Sequence, residues 1–156
     1  MRIVIGADHG GFKLKESLAK FLKSKGHTVR DVGAFSEEGC DYPLIGYQAA
    51  KLVADKTCAR GILICKTGIG MSMVANKVRG VRAALCDRED IARSSREHND
   101  ANVLVFAANV VSPAKAKNIL KIWLKAGHLG DRHARRVRQI KEIEGLEYEG
   151  VKKNRS

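Results

Sequence analysis

The residues best suited to chemistry in this sequence lie between Ile62 and Ser72. A short apolar run, typical of a strand buried on both faces, leads into Cys65 and then into a turn that contains Gly68 and Gly70. A helix that begins after such a turn directs free backbone N–H groups, and the positive end of its dipole, at one small volume. The segment therefore predicts an anion site beside a thiol that could act as a nucleophile or a base. The alternative is a small buried cysteine next to an ordinary turn.

Three further groups of polar residues stand next to predicted strands or helices, and each could serve the same chemistry. They are Asp8 with His9 after the first strand, His98 to Asp100 before the fifth strand, and Arg132 with Arg136 on one face at the start of the last helix. We expect all three groups at the sheet edge that the cysteine occupies, so that an acid, a base, guanidinium groups and anion-binding amides converge there. Taken alone, the first group could cap a helix N-terminus and the second a helix C-terminus, and the arginines could be solvated surface charges.

The elements that must position these residues alternate between strands and helices. The sequence predicts strands at residues 2–6, 28–33, 61–64, 80–85 and 102–106. It predicts helices from residue 12 to about 25 and at residues 44–55, 71–78, 88–97, 113–125 and about 132–144. Because parallel neighbouring strands need crossover connections, this order predicts a Rossmann-like three-layer α/β/α sandwich around a five-stranded parallel sheet. The first strand–helix turn lacks the GxGxxG pattern of a dinucleotide-binding fold.

The length of 156 residues suits a single domain, which we place at residues 1–145, followed by a charged, flexible tail at residues 146–156. The last predicted helix stands outside the strand–helix alternation. It carries a narrow apolar stripe of Val137, Ile140 and Ile143, which is suited to packing against a partner subunit. We therefore expect Arg132 and Arg136, on the same helix, to reach into the partner's site.

Composition narrows the classes of partner. The formal net charge of +12, from 29 Lys and Arg against 17 Asp and Glu, favours an anion such as a phosphorylated metabolite or a nucleic acid. The basic cluster from Arg132 to Lys141 contains no aromatic residue, which argues against single-stranded nucleic acid. The four cysteines show neither CxxC spacing nor a partnered histidine pair, so we expect no metal and no disulfide framework. We see no signal peptide and no apolar stretch of about 20 residues, and we therefore expect a cytoplasmic protein without a membrane partner.

Ordered motifs over roughly residues 1–145 resemble those of the type B ribose-5-phosphate isomerases, a family that also includes galactose-6-phosphate and allose-6-phosphate isomerases. The motifs are Asp8-His9-Gly10-Gly11, Asp41-Tyr42-Pro43, the segments from Ile64 to Ser72 and from Ala75 to Lys77, the segments from Gly80 to Ala84 and from Ser95 to Asn102, and the segment from Arg132 to Val137. The resemblance implies a cofactor-free aldose–ketose isomerisation through a cis-enediolate, most simply of ribose 5-phosphate to ribulose 5-phosphate. It also implies a homodimer, or a tetramer, whose active sites are shared between subunits.

The resemblance also assigns roles to residues of this chain. Cys65 matches the base that moves the proton, and Thr67 with His98 matches the pair that opens the sugar ring. The substrate-binding residues that it implies are Asp8, His9, Tyr42, Lys66, Gly68, Ile69, Gly70, Met71, Ser72, Asn99, Asn109, Arg132 and Arg136. Among these, His9 and the two arginines would hold the phosphate. The amides of the glycine-rich turn could stabilise the enediolate oxygen.

Two positions depart from the family pattern. The family usually has glycine directly after the catalytic cysteine, where this chain has Lys66, and many members have an arginine where this chain has Asn109. Lys66 could favour the thiolate, reach a substrate oxygen or crowd the turn. The departures leave open an isomerase of another sugar phosphate (allose, galactose or a four-carbon sugar), or a catalytically weak homologue that binds sugar phosphates.

Overall fold

The structure of the chain, a computed structural model, describes residues 1–153, and the surroundings of side chains as far as residue 147. The strands in this part of the chain are β1 (Arg2–Ala7), β2 (Thr28–Asp31), β3 (Arg60–Cys65), β4 (Ala83–Leu85) and β5 (Val103–Ala107). The α-helices are α1 (Phe12–Ser24), α2 (Tyr42–Ala54), α3 (Ile69–Asn76), α4 (Glu89–Glu97), α5 (Pro113–Lys125) and α6 (Asp131–Lys153). A short 3-10 turn, His9–Gly11, joins β1 to α1.

All five strands belong to one parallel sheet with the order β2-β1-β3-β5-β4. At its centre, Ile62 of β3 is paired with Ile5 of β1 on one side and with Leu104 of β5 on the other. These three strands are almost entirely apolar and buried, because helices cover both faces of the sheet. The predicted Rossmann-like α/β/α sandwich is confirmed.

Successive residues of β3 point to opposite faces of the sheet and therefore into two different cores. Ile64 packs in the core beneath α1 and α5, whereas Cys65 packs in the core beneath α2 and α3. Fully burying one such aliphatic side chain contributes about 1.5–3 kcal/mol. Because a slip of one residue would exchange the two faces, these cores fix the direction in which each functional side chain leaves the strand.

Two strands are shorter than the sequence predicted. β4 begins at Ala83 rather than at residue 80, because the Arg82 N–H donates to the side-chain oxygen of Asn102 (2.8 Å) instead of to a strand carbonyl. β2 ends at Asp31 rather than at residue 33, because Gly33 has a φ of +104°, which takes the chain out of the strand conformation, although the Val32 N–H still donates to the Ile5 carbonyl (3.0 Å). At β4 a side-chain acceptor takes the place of the strand ladder, and at β2 the backbone conformation ends the strand.

The last helix differs most from the prediction, because α6 continues through Gly145 to Lys153 instead of ending near residue 144. The predicted tail is therefore helical as far as Lys153, and its last three residues lie outside the described residues. Val137 is buried by its own chain, which corrects its assignment to a partner-facing stripe, whereas Ile140, Ile143 and Leu146 are 44%, 61% and 69% exposed. None of the described helices combines the length and the apolar character that crossing a membrane requires.

Candidate active site

Cys65 ends β3 at the carboxyl edge of the sheet and is only 5% exposed. Its sulfur accepts a hydrogen bond from the backbone N–H of Gly68, with an N–S distance of 3.1 Å. Gly68 has a φ of +73°, a left-handed conformation that turns the chain back over the strand and that favours glycine. A side chain at this position would also overlap Leu85. The thiol therefore lies beneath a turn whose backbone is directed at it.

The turn leads directly into α3, as the sequence predicted. Two of the first backbone N–H groups of α3, those of Gly70 and Met71, have no partner within the helix, so they are available to an anion. Thr67 stands between this helix end and the thiol, and its hydroxyl oxygen accepts a hydrogen bond from the Ile69 N–H at 3.4 Å. A hydroxyl, a thiol and free amides are thus collected within one short segment.

Two of the proposed binding residues near the start of α3 have side chains that are already engaged. The Met71 side chain is fully buried in the core, and the Ser72 hydroxyl donates to the Ile69 carbonyl at 2.8 Å. The backbone N–H of Met71 therefore remains available at this position, rather than its side chain. Tyr42 closes one side of the turn, since a Cβ added to Gly70 would lie 2.6 Å from the Tyr42 hydroxyl oxygen.

Asp8 and His9 lie beside this turn because β1 is the neighbour of β3. The Asp8 N–H donates to the Ile64 carbonyl (3.2 Å), and one Asp8 carboxylate oxygen accepts from the Gly11 N–H (2.9 Å). Asp8 is therefore a cap of the 3-10 turn, as its simpler interpretation proposed, as well as a buried acid next to the thiol segment. The Nδ1 atom of His9 lies 3.3 Å from the backbone nitrogen of Cys40, which holds the ring between β1 and the loop that precedes α2.

On the other side of β3, the end of β5 brings in Asn109, whose N–H donates to the Lys66 carbonyl at 3.1 Å. The residues gathered at the carboxyl edge form what we call the cysteine cluster. It consists of Asp8, His9, Tyr42, Cys65, Lys66, Thr67, Gly68, Ile69, Gly70 and Asn109 together with the Met71 backbone. Most of the residues that the sequence placed in the site are therefore adjacent.

A second cluster forms where the end of α4 meets the start of α6. The rings of His98 and His133 are stacked, with centroids 4.3 Å apart and planes 7° from parallel. Arg132 Nε donates toward His133 Nε2 at 3.4 Å, and Arg136 follows one helical turn later. We call this group, with Asn99, the histidine cluster. The His98 N–H also donates to the Ser94 carbonyl at 2.8 Å, so His98 caps the C-terminus of α4. The alternative interpretation of this residue, as a helix cap, is therefore correct as well.

No role was predicted for His133, which lies between the two arginines in the sequence. It is 8% exposed, and its Nδ1 atom has no hydrogen-bond partner among the described residues. Burial, followed by the nearby charges of His98 and the two arginines, lowers the pKa of His133. The available signal was the spacing of residues 133 and 137, which puts a histidine on the buried face of a helix that is otherwise polar.

The two clusters lie at opposite edges of the sheet, so the expectation that they share one edge is wrong. His98 and Asn99 connect a helix to the start of β5, and Arg82 at the amino end of β4 donates to the Asn99 carbonyl (3.0 Å). Cys65 is instead paired with Ala107, at the opposite end of β5. The five residues of β5 span about 13 Å. In a parallel sheet every helix returns the chain to the amino edge, so a residue that precedes a strand cannot share an edge with one that follows a strand.

The next residue, Asp100, holds the amino-edge connection in place. Its carboxylate accepts from Arg82 (2.8 Å) and from Arg96 (2.7 Å). Burial works against ionisation of this carboxylate, but the hydrogen bond from Arg96 and the charges of both arginines keep the pKa of Asp100 below its usual value. The histidine cluster is thus attached to the amino edge by a paired, partly buried acid.

Comparison with known proteins identifies this combination of fold and residues. The sequence profile described as Ribose/Galactose Isomerase matches residues 3–140. The chain therefore belongs to the ribose/galactose isomerase family, and the resemblance drawn from its motifs is confirmed. The family places it among the sugar-phosphate isomerases, enzymes that interconvert aldoses and ketoses.

Individual relatives agree over almost the whole chain. The chain is 45% identical over 143 residues to ribose-5-phosphate isomerase B of Escherichia coli (strain K12), covering 92% of this chain and 96% of that protein. It is 40% identical over 141 residues to the D-erythrulose-4-phosphate isomerase of Pectobacterium atrosepticum, covering 90% and 93%. Among solved structures, Clostridium thermocellum ribose-5-phosphate isomerase B superimposes with a TM-score of 0.92 at 50% identity, covering 94% and 99%.

Proposed function

We propose that this chain interconverts ribose 5-phosphate and ribulose 5-phosphate, without a cofactor, in sites assembled from two copies of the chain. The observation that carries the proposal is the division of the candidate residues into two clusters at opposite edges of one sheet. In a two-fold symmetric dimer, the cysteine cluster of one copy can face the histidine cluster of the other, and the same contact is then made twice. Neither cluster alone holds both the base and the two arginines.

The cysteine cluster suits the proton transfer itself. As a thiolate, Cys65 takes the proton from C2 of the open-chain aldose, and the electron pair of that C–H bond forms the C1–C2 double bond while negative charge moves to O1. The free amides at the start of α3 stabilise this charge without reorganising, because the fold already directs them at one point. Cys65 then returns the proton to C1 as the O2 hydroxyl gives up its own proton, which reaches O1. Atoms and electrons balance without a redox partner.

The histidine cluster supplies what the cysteine cluster lacks. Most of a sugar phosphate is cyclic, and we assign ring opening to Thr67 together with His98 of the partner subunit. The guanidinium groups of Arg132 and Arg136, one turn apart, form strong charge-assisted contacts with a phosphate. Asp8 and Asn99 hold sugar oxygens, one from each copy. The exposed Ile140 and Ile143 of α6 lie on the same helix as the arginines, and each contributes about 1.5–3 kcal/mol if a partner fully buries it.

A four-carbon sugar phosphate is the second candidate substrate. The specific reason is the 40% identity to a protein named D-erythrulose-4-phosphate isomerase, at a coverage close to that of the ribose-5-phosphate enzyme. A panel of four-, five- and six-carbon aldose phosphates, assayed without added metal or nucleotide, compares the candidates directly. We expect the highest kcat/KM for ribose 5-phosphate.

The role of Cys65 is tested by proton exchange. In D₂O, the wild-type protein should introduce deuterium into the substrate, and Cys65→Ala should abolish this exchange while phosphate binding survives. Cys86→Ala is the matched control, because Cys86 is buried in the other core, away from the glycine-rich turn. Exchange that persists in Cys65→Ala would remove Cys65 from the role of base.

A further inference from the structure

Lys66 follows Cys65 directly, yet its side chain leaves the strand on the opposite face. Cys65 packs beneath α2 and α3, whereas Lys66 lies across Gly10, in the turn between β1 and α1. A Cβ added to Gly10 would overlap Lys66 Cγ and would lie 3.2 Å from its Cδ and 3.0 Å from its Cε. The aliphatic part of the Lys66 side chain therefore occupies the space in which any residue other than glycine at position 10 would place its own side chain.

This path fixes where the ammonium group is delivered. The terminal C–N bond is about 1.5 Å long, so Nζ lies close to Gly10, on the turn that Asp8 caps and that carries His9. Lys66 is exposed, and among the described residues it has no hydrogen bond or ion pair through its side chain. Its neighbour across the strand ends, Asn109, is uncharged.

Lys66 is the only lysine or arginine of the cysteine cluster as defined above. Its side chain is directed away from the thiol face, where the reacting carbons must lie, and across Gly10, the residue that follows His9 in the turn after β1. In a five-carbon substrate the phosphate is attached three carbons beyond C2, at C5, so it reaches a part of the site separate from the thiol. A charge placed across Gly10, away from the thiol, therefore suits the phosphate end of the substrate better than the enediolate.

We propose that Lys66 is a specificity-determining residue that binds the substrate phosphate from the cysteine-cluster side, and that Gly10 is required because it leaves room for the lysine side chain. The inference rests on the proposed function for its substrate class. It adds a cation from the copy that carries the base, facing the two arginines of the partner subunit.

The test compares Lys66→Met, which keeps most of the side-chain volume and removes the charge, with Lys66→Arg, which keeps the charge. A charge-assisted contact corresponds to about a 10- to 100-fold change in affinity. We expect Lys66→Met to raise KM for ribose 5-phosphate by that factor, with kcat changed by less than about threefold, and Lys66→Arg to restore most of the loss. Calorimetry with inorganic phosphate should show the same weakening, because this ligand has no reacting carbon.

Gly10→Ala gives an independent arm, because it displaces the lysine without removing its charge. It should raise KM in the wild-type background and have little further effect in the Lys66→Met background, since the two changes act on one contact. Lys121→Met, on the exposed side of α5, is the control for loss of a surface charge. A lysine that acts on the thiol or the enediolate would lower kcat and leave phosphate affinity unchanged, and that result would overturn the inference.

Failure of the inference and failure of the proposed function give different results. If the wild-type protein turns over ribose 5-phosphate and Lys66→Met has the wild-type KM and phosphate affinity, the role of Lys66 is wrong and the function stands. If the wild-type protein turns over no sugar phosphate of the panel, the function is wrong. Phosphate calorimetry then decides about Lys66 alone, because weaker binding by Lys66→Met supports the phosphate contact and equal binding overturns it.

Discussion

Replacing Gly68 with alanine tests two reasons for a glycine in the turn above the thiol, namely its left-handed backbone conformation and the lack of space for a side chain. The residue has a φ of +73°, and a left-handed conformation costs an L-residue about 1–2 kcal/mol. The new Cβ would also overlap Leu85 Cδ1 and lie 3.3 Å from the Phe106 backbone. Leu85 is partly exposed and can move, so we take the low end of the usual overpacking range, about 1 kcal/mol. The expected loss of unfolding free energy is about 2–3 kcal/mol.

The matched control is Gly26→Ala, at the end of α1. Gly26 has a φ of +79° but nothing within 4 Å of an added Cβ, so this variant isolates the conformational cost of about 1–2 kcal/mol. Only Gly68→Ala disturbs the N–H that donates to the Cys65 sulfur. Loss of a hydrogen bond to a charged group is worth about 1.5–3 kcal/mol, which predicts a roughly 10- to 100-fold fall in kcat for Gly68→Ala and none for Gly26→Ala.

The assays are urea unfolding, with all proteins at one concentration because an oligomer's stability depends on it, and steady-state isomerase kinetics. We expect Gly68→Ala to be about 1 kcal/mol less stable than Gly26→Ala. Equal stabilities with equal kcat values would refute the view that this glycine gives the thiol its backbone partner.

Two further predictions follow from pKa shifts. Burial raises the pKa of Cys86 to about 11 and also raises the pKa of Cys58, so at pH 8 only about one Cys86 in a thousand is a thiolate. Mass spectrometry should therefore show that iodoacetamide alkylates both residues more slowly than the partly exposed Cys40, and equal rates would contradict this. Because the pKa of His133 is lowered in the folded state, the unfolded state binds more protons as the pH falls through 6.5. Between pH 7.5 and pH 5.5 the wild-type protein should therefore lose more unfolding free energy than the His133→Phe variant. Equal losses in urea unfolding would contradict the assigned shift.

The alternation of strands and helices could be predicted because it follows from the local spacing of apolar residues along the chain. Apolar runs such as that ending at Cys65 and helical spacings such as that of α5 need no knowledge of distant contacts. What failed depends on specific partners. β4 is short because of the Asn102 side chain, which lies beyond α4 in the sequence. The length of α6 could not be predicted because glycine commonly ends a helix, whereas α6 continues through Gly145.

The proximity of the residues in the cysteine cluster could be predicted because most of them follow a strand, and the carboxyl ends of parallel strands share one edge; their roles in the site stay predictions. His98 was placed at the wrong edge because proximity to a strand was considered without regard to which end of that strand it adjoins. No role was predicted for His133, and Val137 was assigned to a partner, because burial on α6 depends on tertiary contacts that the pattern of a single helix does not reveal. The packing of α6 against a second copy stays a prediction.

The central claim is that one working site needs the cysteine cluster of one copy and the histidine cluster of another. Cys65→Ala chains and Arg132→Ala/Arg136→Ala chains, each inactive alone, should be unfolded together and refolded as an equal mixture. Half of the dimers are then expected to be heterodimers with one intact site of two, so the mixture should recover about a quarter of the wild-type activity. If heterodimers verified by mass spectrometry remain as inactive as the two parents, the site is not shared, and the arginines must serve the chain that carries them.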